Sequence, residues 1–454
     1  MKSAIIISLL SCLLSCRKFV EISPAPNLVV SDKVFESEET AISAVYGLYI
    51  NMRVLNLNII NGGATVYGSL SAGDIYNTSS TSSANPFFTN QLLSNNSIVS
   101  FNFWNKAYTN IYHANLIIEK LENSPLKPES VRNQLVGEAK LVRALYYFYM
   151  VNFFGDVPLV TGTDYNVNGR LPRASSQQIY EVIIDDLESA KSLMPEKYPL
   201  ANRTRPNSYA AAALLAKVFL FVNQWEKAEA EATYVLSNTN YSLLGTLNEV
   251  FLINSKEIIW QLGSESSNTA EGGAFIPSSA TARPAYALTN QLLRAFDPDD
   301  KRLNAWVRKN TVSTIDYFYP YKCKARQTAT PVAEYQVLLR LSDILLVRSE
   351  ARIKQGKLTG TSGADEDINK IRERAGLTKT TFFSEVQALD SLYVERQREL
   401  FCESGNRWFD LKRWGIANHV LHGQKPFWKP EAALYPIPDG EINRNNALVQ
   451  NAGY

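Results

Sequence analysis

The segment from Pro206 to Leu236 constrains the fold of this chain more than any other part of the sequence. It reads PNSYAAAALLAKVFLFVNQWEKAEAEATYVL, which is two helical stretches joined by a turn of two residues. The alanines lie where two helices must approach closely, and this pattern is typical of a tetratricopeptide helix pair. A similar pair covers residues 337–357 and 364–376, without a strict repeat period. We therefore predict a mostly α-helical fold built from degenerate tetratricopeptide-like helix pairs.

Further helices are predicted where apolar residues recur at helical spacing. Ser37 is a suitable start for the first of them, and the third should end at Gly155, before a turn at Pro158. The predicted segments are 35–57, 101–121, 131–154, 176–193 and 391–415. The second segment places a set of largely aromatic and aliphatic side chains on one helix face: Trp104, Tyr108, Ile111, Asn115 and Ile118.

Two regions, residues 58–100 and 243–327, lack sustained helical periodicity. The first is rich in Gly, Ser, Asn and Thr, and the second contains short strand-like pieces and proline turns. Both retain aromatic residues, which disordered segments normally lack. We therefore predict that they are ordered ligand-binding loops inserted into a single helical domain of residues 16–454.

The N-terminus has the pattern of an export signal. Lys2 precedes an apolar run that ends at Leu14, and this run is too short to span a bilayer. Leu13-Leu14-Ser15-Cys16 has the form of a bacterial lipoprotein box, which predicts a signal peptide of residues 1–15 and a lipid on Cys16. The same four-residue sequence, Leu-Leu-Ser-Cys, also ends at Cys12, but cleavage before Cys12 would leave an apolar segment too short to act as a signal. An ordinary secretory signal or a buried N-terminal helix is the alternative.

Composition excludes several classes of function. The formal net charge of +2 argues against a nucleic-acid partner. Beyond the signal, Cys323 and Cys402 are the only cysteines besides Cys16, which is too few for a disulfide framework, and their spacing is not that of a zinc site. With 23 Tyr, 20 Phe and 7 Trp but only 3 His, the chain is rich in rings and poor in proton-transferring imidazoles.

Five motifs taken together resemble the SusD/RagB family of outer-membrane nutrient-binding lipoproteins. They are the lipoprotein box, GEAKLVRALYYFYMVNFFGDVPLV, RPNSYAAAALLAKVFLFVNQWEKAEAEA, VERQRELFCESGNRWFDLKRWG and LYPIPDGEINRNNALVQNAGY. The resemblance implies tetratricopeptide-like helix pairs packed against a loop-rich half that binds sugar. It also implies an outer-membrane location and a SusC-like TonB-dependent transporter as partner. Arg17 and Lys18 differ from the acidic residues that often follow the lipidated cysteine in surface-exposed members.

A sugar has apolar C–H faces, which stack on aromatic rings, and hydroxyl edges, which bind planar polar groups. Such a site needs rings on loops, and the two irregular regions supply both kinds of residue. The candidate ligand-binding residues are Tyr67, Asp74, Tyr76, Asn77, Phe87, Phe88, Arg283, Trp306, Tyr317, Phe318 and Tyr319. For each ring, the alternative to ligand binding is packing into the core, because tyrosine and tryptophan can bury a large area while their polar end remains in contact with solvent.

The charged block around NRWFDLKRWG could be read as an acid/base cluster. At helical spacing Glu399 would face Glu403, and Glu403 would face Arg407, which is the arrangement of structural ion pairs, and we favour that interpretation. The neighbouring charged residues are Arg396, Arg398, Asp410 and Arg413.

Metal, cofactor and catalytic motifs are absent from the sequence. His419 and His422 lack further ligands, and the carboxylates near Asp297 lack calcium-loop spacing. Neither Gly-x-Ser-x-Gly nor a phosphate-binding loop occurs, so no metal, cofactor or catalytic residue is expected.

Three functional hypotheses remain open. The first is a non-enzymatic glycan-binding lipoprotein that passes its ligand to a transporter. The second is a surface glycoside hydrolase, because the separation of two carboxylates cannot be read from sequence. The third is a helical-repeat scaffold that docks other proteins.

Overall fold

A computed structural model describes residues 33–122 and 124–454 of this chain. The predicted signal peptide and lipid attachment at Cys16 lie outside the described residues. Among the residues that are described, no helix combines the length and apolar character needed to cross a bilayer.

Helices dominate the described part of the chain. They are α1 (Glu38–Arg53), α2 (Gly63–Ala72), α3 (Asn85–Thr89), α4 (Lys106–Glu122), α5 (Glu129–Phe154), α6 (Tyr165–Asn168), α7 (Ser176–Leu193), α8 (Ser208–Phe221), α9 (Trp225–Leu236), α10 (Ala270–Phe275), α11 (Asn290–Ala295), α12 (Lys301–Trp306), α13 (Leu341–Lys354), α14 (Ala364–Arg374), α15 (Glu385–Leu400), α16 (Asn406–Arg413), α17 (Ala417–His422) and α18 (Asp439–Arg444). A π-helical segment, Ile98–Asn105, runs directly into α4.

In the described residues the strands are short and form four separate antiparallel pairs. They are β1 (Ile75–Asn77) with β5 (Tyr286–Leu288), β2 (Val157–Pro158) with β3 (Arg173–Ala174), β4 (Ile258–Leu262) with β8 (Gln336–Arg340), and β6 (Val307–Val312) with β7 (Ile315–Pro320). Because each ladder has only two strands, the strands position loops and do not form a sheet core.

Successive long helices pack on one another in a row. Helix α4 packs on α5, α5 on α7, α7 on α8, α8 on α9, α9 on α13 and α13 on α14. The pair of α8 and α9 confirms the helix pair predicted from its alanines, four of which are fully buried at positions 210–213. The fold is therefore mostly α-helical, with tetratricopeptide-like helix pairs.

Local signals in the sequence account for several helix ends. The Ser37 side chain accepts a hydrogen bond from the backbone N–H of Thr40, which confirms the predicted start of α1. Helix α5 ends at Gly155, where φ is +72°, as predicted. Helix α7 has the predicted bounds, because Ser175 and Gln178 form a capping box at its N-terminus.

Two predicted segments differ from the structure. Residues 337–340 were predicted to begin a helix but belong to strand β8, which pairs with β4. The predicted helix over 391–415 is broken between α15 and α16, where Cys402, Ser404 and Gly405 have positive φ. The break lets α16 approach α2 closely, since a Cβ on Gly68 would lie 3.0 Å from the Cα of Gly405.

The region 58–100 was predicted to be an irregular loop, but it contains the helices α2 and α3. All ten residues of α2 are buried, and such a helix shows no amphipathic periodicity in the sequence. The region 243–327 likewise contains α10, α11, α12 and the β6–β7 hairpin. Both predictions of irregular loops were therefore wrong in these segments.

An aromatic cluster lies where these regions meet the helical row. The ring of Phe153 in α5 lies 5.0 Å from Phe103, 4.9 Å from Phe409 and 4.9 Å from Tyr435, centroid to centroid. Ring pairs at such distances are stabilised beyond their burial by about 0.5–1.5 kcal/mol each. Much of the aromatic excess of this chain is thus used in the core.

Candidate functional site

Strand β1 and the chain around β5 form the base of the candidate site. Tyr76 pairs with Ala287, and Asn77 pairs with Tyr286. The ladder continues past the strand end, because the backbone N–H of Thr78 donates to the carbonyl of Ala285 (3.0 Å) and its hydroxyl donates to the carbonyl of Pro284 (2.5 Å). These bonds hold the 283–285 segment beside β1.

The β6–β7 hairpin packs against β5 and supplies Tyr317. Tyr317 lies opposite Asn310 in the hairpin ladder. The Asn310 side chain donates to the carbonyls of Ser279 (3.0 Å) and Ala282 (2.8 Å). The exposed Arg283 therefore lies between Ala282, which is held by the hairpin, and Pro284, which is held by β1.

Three predicted rings remain half-buried at this junction, and we refer to Tyr76, Phe88 and Tyr317 as the ring platform. The centroids of Tyr76 and Phe88 are 6.4 Å apart. Burial raises the pKa of the Tyr76 phenol, and the nearby Tyr317 raises it further. The structure thus brings these three residues together. Arg283 lies in the neighbouring 283–285 segment, whereas the Asn77 side chain points to the opposite face of β1 from Tyr76. Phe318 is also half-buried, on the opposite face of the hairpin from Tyr317.

Four of the predicted ligand-binding rings lie instead in the interior. Tyr67 and Phe87 contact each other at 4.6 Å within the aromatic cluster, and Tyr319 is 7 % exposed. Trp306 is fully buried at the end of α12, where its indole N–H donates to the carbonyl of Leu247 (3.0 Å). Their placement on exposed loops was wrong, because the short elements that carry them pack into the core.

Asp74 lies beneath the platform and not on its surface. Its Oδ1 accepts a hydrogen bond from Gln397 Nε2 (3.1 Å), its Oδ2 has no partner among the described residues, and burial raises the pKa of the carboxyl. Its backbone carbonyl accepts from the N–H of Thr289 (2.9 Å). Asp74 therefore supports the β1–β5 junction and does not contact solvent.

Lys425 and Asn310 are positioning residues that the sequence did not indicate. The buried Lys425 ammonium donates to the carbonyls of Leu70 and Ser71 and to Asn90 Oδ1, each at 2.7 Å. It lies 5.2 Å from the ring centroid of Phe88, within range of a cation–π interaction. Neither residue lies in a recognisable motif, so no sequence signal could have found them.

The charged block predicted to form structural ion pairs is a buried network. Glu399 is fully buried, and its two carboxylate oxygens accept hydrogen bonds from Arg340 (2.8 Å), Arg374 (2.5 Å) and Arg302 (3.1 Å). Burial alone would raise the pKa of Glu399, but Arg374, Arg340 and Arg302 hold it well below its ordinary value. Glu399 therefore serves as a structural anion.

The predicted partners within the block were wrong. Because α15 ends at Leu400, Glu403 does not continue the helix toward Arg407. Glu403 instead accepts from Arg340 Nε (2.6 Å) and from Lys322. The buried Trp306 covers this network, with the Lys322 ammonium 4.7 Å from its ring centroid.

Glu271 in α10 is a half-buried acidic residue close to the candidate site. It borders two internal cavities of about 30 and 20 Å³, and α10 packs against α2 and β5. Burial raises the pKa of Glu271 to about 7, despite hydrogen bonds donated by Thr65 and by Gln336 (3.1 Å).

We expect Glu271→Gln to stabilise the protein at pH 8 but not at pH 4. Between pH 4.5, the ordinary carboxyl pKa, and about pH 7, Glu271 is protonated in the folded state but ionised in the unfolded state. The contribution of Glu271 to the free energy of unfolding therefore falls as pH rises through this range. The difference corresponds to about 3 kcal/mol at most. Glutamine keeps an oxygen for Thr65 and Gln336. Urea unfolding at both pH values tests this expectation, and an equal effect at both would contradict it.

No cluster of three or more His, Cys, Asp or Glu side chains in residues 33–122 and 124–454 has the arrangement of a metal site. His419 and His422 both lie in the short helix α17. In the turn after Asp297, the side chain of Asp300 accepts from the backbone N–H of Arg302 and caps α12.

Residues 50–220 match a family described as starch-binding and associating with the outer membrane, and residues 302–454 match the SusD family. The SusD-like protein P25 of Formosa agariphila is 26 % identical, and the alignment covers 97 % of each chain. The starch-binding protein SusD of Bacteroides thetaiotaomicron is 35 % identical over 70 % of this chain and 72 % of that protein.

A solved laminarin-binding SusD-like protein has the same fold. Its structure superposes with a TM-score of 0.76 at 23 % identity, covering 92 % of this chain and all of that one. The helical row, the sequence matches over both halves of the chain and the shared architecture all indicate the same family. The chain belongs to the SusD family.

Proposed function

We propose that this protein is an outer-membrane lipoprotein that captures a glycan on the ring platform and delivers it to a SusC-like TonB-dependent transporter. It binds the glycan and does not cleave it. The observation that carries the proposal is the ring platform itself, in which three half-buried rings lie on anchored segments beside the exposed Arg283.

The chemistry of the platform suits a neutral sugar. Rings held by a rigid scaffold offer flat apolar surface to sugar C–H faces without a large loss of side-chain entropy on binding. Arg283 adds planar donors for hydroxyl groups. The Asn77 side chain points to the opposite face of β1 from Tyr76, where its Oδ1 accepts from the backbone N–H of Ser79 (3.1 Å) and its Nδ2 is buried, so it supports the strand end and is not a ligand contact.

The ligand class and the location rest on the relatives and on the N-terminal sequence. One relative is named as starch-binding and one structural neighbour as laminarin-binding, so glucans are the first ligands to test. The description of the matching family as associating with the outer membrane agrees with the lipoprotein box at Cys16.

Titration calorimetry of the purified full-length protein in detergent, with laminarin and with soluble starch, tests glycan capture. We expect Tyr76→Ala and Tyr317→Ala each to weaken binding of the recognised glucan about tenfold, because each removes one stacked ring. Tyr76→Phe should keep most of the affinity, since the ring remains. The matched control is Phe383→Ala, which removes an 84 % exposed ring from another part of the surface. This variant should bind like the intact protein.

Two results would contradict the proposal. The first is an intact protein that binds neither glucan. The second is release of new reducing ends from either glucan by the purified protein, which would favour the glycoside hydrolase hypothesis instead.

A further inference from the structure

A second cleft, of about 400 Å³, lies beside the helical row. It is bordered by the end of the π-helical segment, by α4, by the short helix α6 and by α18. It shares no lining residue with the ring platform. Its volume falls within the range of small-ligand clefts in proteins.

Aromatic side chains line one wall of this cleft in a regular order. Trp104, Tyr108 and Tyr112 are four residues apart along the chain, so they lie on the same helix face about one turn, or 5.4 Å, apart. The centroids of Trp104 and Tyr108 are 5.1 Å apart, and the Tyr108 hydroxyl donates to the carbonyl of Pro158 (2.8 Å). Trp104 is only 3 % exposed and its ring is tilted 48° from that of Tyr108, so it supports Tyr108 from within the core. The half-buried Tyr108 ring is the part of this wall that is held rigidly at the surface.

Two exposed tyrosines flank this rigid wall. The side chain of Tyr112 is 42 % exposed and that of Tyr165, in α6, is 81 % exposed. No described residue forms a hydrogen bond with either hydroxyl. An apolar ring with so much exposed surface gains free energy when a ligand covers it, at about 25 cal/mol per Å².

The polar part of the cleft carries no net charge. Arg444 and Glu441 form an ion pair across 2.5 Å, and the Arg444 side chain is 74 % exposed. Guanidinium and carboxylate groups together donate to and accept from hydroxyls, whereas a charged ligand would find no surplus of opposite charge. Rings and paired polar groups are the combination that a neutral saccharide requires.

We propose that this cleft is a second saccharide-binding site. The inference rests on the proposed glycan-binding function and extends it, because two sites let the protein hold a long glycan at two points. Simultaneous binding at linked sites strengthens the overall affinity without a new contact at either one.

Equilibrium dialysis of the purified full-length protein in detergent, with labelled laminarihexaose and maltohexaose, tests the second site by counting the ligands bound at saturation. The cleft variant is Tyr112→Ala with Tyr165→Ala, the platform variant is Tyr76→Ala with Tyr317→Ala, and Phe383→Ala is the control. Both cleft residues are exposed, so thermal unfolding of that variant should match the intact protein. We expect two bound hexasaccharides for the intact protein and the control, and one for each double variant.

The outcomes separate the second site from the first. One ligand on the intact protein that is lost in the platform variant and kept in the cleft variant would overturn the second site alone. No ligand on the intact protein would overturn glycan capture as well. A cleft variant that still binds two ligands but no longer copurifies with the transporter would make the cleft a protein-docking surface and overturn the inference.

Discussion

Replacing Glu399 with alanine is expected to lower the free energy of unfolding by about 3–5 kcal/mol, because it removes the anion from a buried ion network. Three guanidinium groups, those of Arg302, Arg340 and Arg374, would remain almost completely buried without the carboxylate that they share. Each arginine keeps another carboxylate, but the buried network would lose the one anion that all three arginines share. Urea unfolding monitored by circular dichroism at pH 7 measures the change.

Glu373→Ala is the matched control for this loss. Glu373 also pairs with a cation, Lys379, at 2.9 Å, but both side chains are more than half exposed. Exposed ion pairs contribute little, so this variant should unfold within about 0.5 kcal/mol of the intact protein. Equal effects of the two substitutions would mean that the network around Glu399 is solvated in solution.

Replacing Cys16 with alanine is expected to move the protein from the membrane fraction to the soluble fraction. If Cys16 carries the lipid, each buried methylene of its acyl chains contributes about 0.8 kcal/mol to membrane binding, and two or more chains hold stably. Detergent-phase partition of the full-length protein, expressed in a host that processes lipoproteins, measures the change. Uptake of the recognised glucan should fall with it, because capture and transport then occur in different places.

Cys12 provides the control, since the same four-residue sequence, Leu-Leu-Ser-Cys, also ends at Cys12. Cys12→Ala should leave the protein in the detergent phase. The reverse pattern, in which only Cys12→Ala releases the protein, would place the lipid on Cys12. Release by neither substitution would contradict lipid anchoring through this motif.

Helix positions followed from the sequence wherever a helix has one buried and one exposed face. Helix α7 is such a helix, with Ile179, Ile183 and Leu187 buried at helical spacing. Helix α2 is not, because it is buried on every side, and its small residues and glycines were therefore read as a loop. Periodicity depends on the contrast between two faces, so it fails where that contrast is absent. Helix α8 is also buried along almost its whole length, but its run of alanines identified it.

The sequence supplied candidate site residues but could not show which of them reach the surface. Tyr67 and Tyr76 are nine residues apart in one segment, and both were candidates. Tyr67 packs within the core against Phe87, whereas Tyr76 lies half-buried beside Phe88 at the surface. The difference arises from β5, more than 200 residues later, which pairs with β1 and holds Tyr76 at the edge of the fold.

The sequence by itself determined the helix pairs, the caps that bound them and the excess of rings, because these depend on residues within a few turns of one another. Only the tertiary structure decided which rings reach the surface and which arginines surround Glu399. Those contacts join segments that are far apart in the chain, and burial at each position depends on what the distant segment places against it.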